Sequence, residues 1–185
     1  MKTGWTLGQT QQILDEYLVT LVWNGDRSAA ERLARRWHPR LLRAARRMLG
    51  DAEAAHGATQ DSWLAIIKSI HRLSDPARFA PWAFTILRRK CADVIKHSQS
   101  RRAVMDDGEL PDAASDSATS EDSAAIAQAF AALPPDQRLA AHLFFVEGLT
   151  LAELAEVQAI PVGTAKSRLF HARQKLKAAL SGENP

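Results

Sequence analysis

Apolar residues recur along most of the chain at intervals of three and four, the spacing that lines one face of a helix. No stretch alternates with the period of two that a half-buried strand needs. After residues 1–6, expected to fray, the first stripe runs Leu7, Ile13, Leu14, Tyr17, Leu18, Leu21 and Val22, and Asn24-Gly25 ends it. Asp26 is placed to cap a long second helix facing inward with Ala30, Leu33, Ala34, Trp37, Leu41, Leu42, Ala45 and Leu49. Pro39 falls inside that stripe and predicts a kink or a break. A third stripe, Glu53 to Ile70, turns Ala58, Trp63, Ile66, Ile67 and Ile70 inward, and His71–Pro76 reads as a loop. A fourth helix over Ala77–Gln99 carries Phe79, Trp82, Ala83, Ile86, Leu87, Val94 and Ile95.

The periodicity then stops. Residues 103–122 are acidic, polar and poor in large apolar groups, so they cannot bury enough surface to offset their ordering entropy, and they predict a flexible linker. Helical spacing resumes over Ser123–Leu133 with Ile126, Phe130 and Leu133 inward. A helix over Gln137–Glu147 follows, capped by Asp136, with Leu139, Leu143, Phe144 and Val146 inward and Gly148 at its end. Thr150 and Glu153 have capping-box spacing ahead of a short apolar helix with Leu151, Leu154, Ala155 and Val157, and Pro161 suits the start of the last one. In that last helix Leu169, Ala172 and Leu176 face inward, with Lys166, Arg168, Arg173 and Lys175 largely outside the stripe. A short support helix, a tight turn and a basic second helix make the pattern of a DNA-reading helix-turn-helix.

The pattern predicts an all-α chain of two small helical domains joined by a flexible acidic linker. The boundaries are an N-terminal extension at 1–25, a first domain at 26–102, the connector at 103–122, a second domain at 123–180 and a tail at 181–185. At 185 residues, 46% hydrophobic and 24% charged, the chain can bury such cores. The net charge of +3 says little, but its distribution says more. Residues 26–102 carry 17 basic against 7 acidic side chains, residues 103–137 carry eight acids and no Lys or Arg, and residues 138–185 carry six basic against four acidic. Two basic modules around an acidic connector suit a polyanionic partner.

Cys91 is the only cysteine, so an intramolecular disulfide is excluded, and its helical context predicts a small core residue. The first residues lack the charged-then-apolar pattern of a signal peptide and no apolar run approaches membrane-spanning length, so a cytoplasmic protein without membrane insertion is expected.

The string IPVGTAKSRLFHARQKL, with LPPDQRLAAHLFFVEGLTLAELAEV before it, resembles the promoter-reading region of bacterial sigma factors of the sigma-70 family, in the extracytoplasmic-function group. The first block resembles the other domain of that family through Asp51, Glu53, Gln60 and Asp61 before the loop and Phe79, Trp82, Arg88, Asp93 and Lys96 after it. The resemblance implies core RNA polymerase (beta-prime clamp and beta flap) and promoter DNA as partners, together with an anti-sigma factor, and implies no cofactor, metal or catalysis. It places Lys166, Ser167, Phe170 and His171 at base edges of the minus-thirty-five element, and Thr164, Arg168 and Arg173 at phosphates. It assigns His71, Arg72, Ser74 and Asp75 of the loop, with Arg88, Arg89, Lys90 and Lys96, to the minus-ten element and its melting. Asp51, Glu53, Gln60, Asp61 and Leu64 are assigned to the polymerase clamp. Trp82 is a candidate stacking platform, although at its spacing with Ala83 and Ile86 a core role is favoured.

Some residues depart from the family pattern. His56-Gly57 stands where acidic residues are usual, Arg89 where Asn is frequent, His171 where Arg is frequent, and Ala159 at a turn position often held by Gly, which predicts slight strain there. Two other readings compete. A sigma-like decoy would occupy an anti-sigma factor without starting transcription, but it has no need of a basic recognition helix. An enzyme would need a constellation, whereas His38, His56, His71, His97, His142 and His171 are scattered with no HExxH, Cys pair or Gly-rich phosphate loop.

Overall fold

The computed structural model describes residues 7–104 and 121–181, all the regular elements of which are helical. The expectations for residues 1–6, for most of the 103–122 connector and for nearly all of the tail lie outside them. The first four helices are α1 (Leu7–Trp23), α2 (Arg27–Leu49), α3 (Ala52–Ser69) and α4 (Phe79–Val104). They are followed by α5 (Glu121–Ala131), α6 (Pro135–Ala141), α7 (Leu151–Gln158) and α8 (Val162–Ser181).

Side-chain caps fix several of the boundaries. Asp26 Oδ1 accepts the Ala29 N–H at 3.0 Å and Asp51 Oδ1 the Ala54 N–H at 2.6 Å, satisfying donors that a first helical turn leaves open. Gly50 ends α2 at φ 74°, a left-handed conformation open to a residue without Cβ.

Pro39 does not break α2, which runs through it to Leu49. It lies on the exposed side, while Leu33 and Trp37 before it and Leu41, Ala44 and Ala45 after it share one buried face. That continuous burial outweighs the ~3 kcal/mol a helical proline costs. Trp37 anchors the face, its ring edge-on to Phe79 at 5.0 Å and to Phe84 at 5.8 Å.

The helix expected over Gln137–Glu147 changes type midway. α6 ends at Ala141 and His142–Val146 is π-helical, its wider register closed by Glu147 N–H to the His142 carbonyl at 3.1 Å. Asp136 does not cap α6 either. Pro134 holds the cap position without a side-chain bond, and the Asp136 carboxylate turns to Arg168. Three residues that the stripes turn inward are exposed, namely Ile67 at 62%, Val146 at 51% and Ile126 at 46%. A helical stripe read from sequence is wider than the face that a neighbour covers.

The helices α1–α4 and α5–α8 do not stay apart. Leu149, Leu154, Ala155 and Val157 of the second group lie in the same buried cluster as Trp37, Phe79, Ala83 and Leu87 of the first. A smaller core of Ala129, Leu133, Ala141, Ala172 and Leu176 belongs to the second group alone. Cys91 is fully buried in the first core, and burial pushes its thiol up to about 12, which leaves it inert.

Candidate nucleic-acid interface

The C-terminal turn is built as the sequence requires. Thr150 Oγ1 accepts the Glu153 N–H at 3.3 Å while Glu153 Oε2 accepts the Thr150 N–H at 2.8 Å, closing a capping box at the start of α7. Ala159 then adopts φ 53°, ψ 49°, the left-handed conformation that ends the helix and reverses the chain. Pro161 stands just outside α8, its carbonyl accepting the Ala165 N–H at 3.0 Å.

Helix α8 turns Ala165, Ala172 and Leu176 into the core, with Leu169 half-buried beside them. Thr164, Lys166, Ser167, Phe170, His171 and Arg173 all stand exposed, a continuous polar and cationic surface. Phe170 is its apolar centre, 55% exposed and edge-on to His171 at 5.5 Å. The Ser167 hydroxyl donates to the Gly163 carbonyl at 3.1 Å and keeps its lone pairs free to accept. Lys166 offers a donor to guanine, and Phe170 an apolar face to a thymine methyl. Arg168 differs from the rest. It is half-buried, its Nη1 donates to Gln158 Oε1 at 2.8 Å and its Nη2 lies 2.8 Å from Asp136 Oδ2.

The loop before α4 is more ordered than its sequence implies. It opens with a 3-10 turn over Ile70–Arg72 and closes with another over Pro76–Arg78. Trp23 Nε1 of α1 donates to the Ile70 carbonyl at 2.9 Å, so the N-terminal helix holds the loop's first turn. His71, Arg72, Ser74 and Asp75 are exposed, with Leu73 as the buried anchor between them, and Asp75 Oδ1 accepts the Ala77 N–H at 2.9 Å. Of the four α4 cations that the resemblance assigns to the minus-ten element, Arg89 and Lys96 are exposed and, seven residues apart, share one face. Arg88 and Lys90 are half-buried on its two flanks, so the structure does not bring all four together. Trp82 is half-buried against the core and tilted on Phe79 at 6.1 Å, which is the core role.

On α3, Glu53, Gln60, Asp61 and Leu64 are exposed, whereas Asp51 is spent on its cap. Leu64, 57% exposed, and Ile67 make an apolar pair on that surface, with Gln60 one turn before Leu64. Ile67 was missed because its spacing is equally that of a core residue.

A buried ionic chain between the two groups had no sequence signal at all. Arg36 Nε meets Asp15 Oδ1 at 2.8 Å, and Arg40 Nη1 lies 3.7 Å from Asp15 Oδ2. Arg40 Nε meets Glu147 Oε2 at 2.6 Å, and Glu147 Oε1 lies 3.2 Å from Nε2 of the fully buried His142. The Arg40 guanidinium also sits 3.8 Å from the centre of the Trp37 ring. Burial holds the His142 imidazole below its ordinary range, helped by the charges of Arg47 and Arg43 against the pull of Glu147. Burial pushes the Glu147 carboxyl up, but His142 and Arg40 together pull it further down. A neutral histidine thus faces an ionised glutamate. Arg78, at the end of the loop, makes a second ion pair between the groups with Glu156 of α7.

Among the described residues no group of three or more His, Cys, Asp or Glu is placed to hold a metal ion, and no helix is long and apolar enough to cross a membrane.

Known proteins share both halves of this architecture. The family model for Sigma-70 region 2 matches residues 33–102 and that for Sigma-70, region 4 matches residues 123–176. The chain is 30% identical over 156 residues to the ECF RNA polymerase sigma factor SigM of Mycobacterium tuberculosis, covering 84% of this chain and 79% of that protein. It is 27% identical over 180 residues to the RNA polymerase sigma-H factor of Pseudomonas aeruginosa, covering 90% and 93%. The fold is similar to that of the sigma factor RpoE from Bartonella quintana, solved in complex with the anti-sigma factor NepR. There the TM-score is 0.73 at 22% identity, over 83% of this chain and 98% of that one. It is also similar to CnrH, solved in complex with the cytosolic domain of CnrY, with a TM-score of 0.63 at 23% identity over 92% and 99%.

Proposed function

We propose a division of labour for a chain that belongs to the extracytoplasmic-function sigma factors of the sigma-70 family and so directs core RNA polymerase to promoters in transcription initiation. Sigma factors are transcription regulators rather than catalysts. The observation that carries the division is the exposed face of α8, where Lys166, Ser167, Phe170 and His171 stand together on a capped, rigid helix-turn-helix. Those four read base edges of the minus-thirty-five element in the major groove, and Thr164 and Arg173 hold phosphates beside them.

The loop residues His71, Arg72, Ser74 and Asp75 receive an unstacked base of the minus-ten element, an exchange in which pocket contacts offset a few kcal/mol of lost stacking. Arg89 and Lys96, on one exposed face of α4, then hold the single strand through its phosphates, with Arg88 and Lys90 at the margins. The surface of Glu53, Gln60, Asp61, Leu64 and Ile67 on α3 meets the beta-prime clamp, and the second domain meets the beta flap. An anti-sigma factor is the regulatory partner, as the complexes of the two structurally similar proteins suggest for this chain. The protein works in the cytoplasm, on the nucleoid when in holoenzyme.

Run-off transcription with purified core polymerase on a promoter panel tests the reading. Start sites that depend on this protein support it. Binding to core without any transcript would favour a decoy that only titrates an anti-sigma factor, and no binding to core would overturn the reading.

A further inference from the structure

Arg168 sits on the recognition helix and carries the charge of a phosphate contact, yet its geometry is that of an internal brace. Along α8 the residues turned to the interior are Ala165, Ala172 and Leu176, with Leu169 between them. Arg168 falls within that stripe, three residues after Ala165 and four before Ala172, and is half-buried, while its neighbours Lys166 and Ser167 are exposed. Both ends of its guanidinium are engaged, Nη1 by Gln158 Oε1 and Nη2 by Asp136 Oδ2, each at 2.8 Å. Gln158 is itself buried and its amide is used at both ends, because its Nε2 donates to the Asp136 carbonyl at 3.2 Å. Three elements therefore meet at one node: the first turn of α6 through Asp136, the last residue of α7 through Gln158, and α8 through Arg168.

We infer that Arg168 is a positioning residue, and that the Asp136–Gln158–Arg168 node sets the angle at which α8 presents Lys166 and Phe170 to DNA. The inference deepens the promoter-reading role proposed above and rests on it. The turn between α7 and α8 adjoins the node. Its one left-handed residue, Ala159, lies directly after Gln158, so the node stands on the hinge of the motif. A planar guanidinium held by two acceptors in different elements fixes an orientation that a single contact cannot. An arginine held this way has two of its five N–H donors committed inside the domain, and reaching a phosphate with the rest would pull the guanidinium off both acceptors.

Charge makes the two roles separable, since they predict opposite signs for one substitution. Asp136 is exposed and acidic, so Asp136→Asn makes the DNA-facing domain more positive. If Arg168 is a phosphate contact restrained by Asp136, the substitution frees it. Binding then strengthens, and the salt dependence steepens by about 0.9 in the log–log slope, the worth of one neutralised phosphate. If Arg168 is a brace, the same change loosens α8 and blunts base reading without altering the number of phosphates contacted.

The experiment uses holoenzyme assembled from core polymerase and the full chain, with a promoter library randomised in the upstream element as the first probe. Wild-type holoenzyme enriches a preferred sequence, and a duplex carrying it is compared with a scrambled one at several salt concentrations. The Asp136→Asn and Arg168→Met proteins are each first shown to melt within a few degrees of wild type. The expected result is that discrimination between the two duplexes falls about fivefold or more in both variants, the lower end of what one base contact is worth, with the salt slope unchanged. Tighter binding and a steeper slope for Asp136→Asn would overturn the inference. So would a slope reduced by about 0.9 with discrimination intact for Arg168→Met. Failure of wild-type holoenzyme to enrich any sequence overturns the promoter reading itself, and the inference with it.

Discussion

Arg40 Nε donates to Glu147 Oε2 at 2.6 Å, joining a residue inside the Sigma-70 region 2 match to one inside the region 4 match, 107 positions along the chain. The glutamate side chain is 2% exposed and the arginine 23%. The π-helical register of His142–Val146 swings Glu147 back over His142 and toward α2, so the contact depends on an irregularity in the backbone.

Replacing Glu147 with Gln leaves that position polar but neutral. Arg40 then keeps its longer contact to Asp15 and its place over the Trp37 ring, and the loss of one charge-assisted bond in a mostly buried setting is worth about 1.5–3 kcal/mol. Urea denaturation reads it as a lower midpoint. An unchanged midpoint would mean the pair contributes nothing.

Acid weakens the fold through His142. Unfolded, the imidazole protonates near its ordinary 6.5, whereas in the native protein burial holds it to lower pH. The unfolded chain thus binds more protons as pH falls through 6.5, so this stability is complete above that value and is lost below it, until the folded pKa is reached. Glu147, whose folded pKa lies below the ordinary 4.5, adds a second loss in the same direction at lower pH. Denaturation midpoints between about pH 5 and about pH 7.5 should decline on the acid side for wild type and much less for His142→Gln. Equal slopes for the two proteins would exclude His142 as the cause.

The turn of the DNA-reading motif carries removable strain. Ala159 holds φ 53°, where a Cβ costs ~1–2 kcal/mol, and Ala159→Gly relieves it at some expense in chain entropy. A net gain of about 0.5–1 kcal/mol is expected in chemical denaturation. A loss would show that the turn is relaxed as it stands.

On α3 the apolar pair Leu64 and Ile67 is 57% and 62% exposed, so Ile67→Asp should move the melting temperature by no more than a few degrees. Affinity for core polymerase should fall ~10-fold, as for an interface residue worth more than 1 kcal/mol. Full affinity in this variant would remove Ile67 from the clamp surface.

Lys166→Ala tests the base-reading face directly. The loss is ~1–3 kcal/mol of discrimination at promoters with a guanine in register and little at others, so transcripts fall unevenly across a panel. A uniform fall would reassign Lys166 to a phosphate.

Most helix boundaries were legible because they are local. Asp26, Gly148 and the Thr150–Glu153 box act within a turn of themselves, and each appears in the structure as its spacing implies. What the sequence hid depends on partners far along the chain. Arg168 looks like any exposed cation until Asp136 and Gln158 are brought to it, and His142 looks scattered until the π-turn sets Glu147 against it. That Pro39 leaves α2 unbroken was hidden for the same reason. Its local cost was plain, and the buried face that offsets it was not. Ile67 shows the converse, since a core-like period says nothing about whether a neighbour arrives.

The ion pairs Arg40–Glu147 and Arg78–Glu156 also set a length. Minus-ten and minus-thirty-five elements are roughly 25 base pairs apart, or about 85 Å along B-DNA, whereas these contacts hold the loop's end and the support helix of the DNA-reading motif against each other. On the proposed function one molecule cannot span both elements and keep these bonds. The arrangement described is then a closed form, and the polymerase-bound form an open one. Apparent affinity for core is the intrinsic affinity scaled by the open fraction. A substitution such as Glu147→Gln, which weakens the free protein, would then strengthen its hold on polymerase: stability of the isolated chain and readiness for assembly pull in opposite directions.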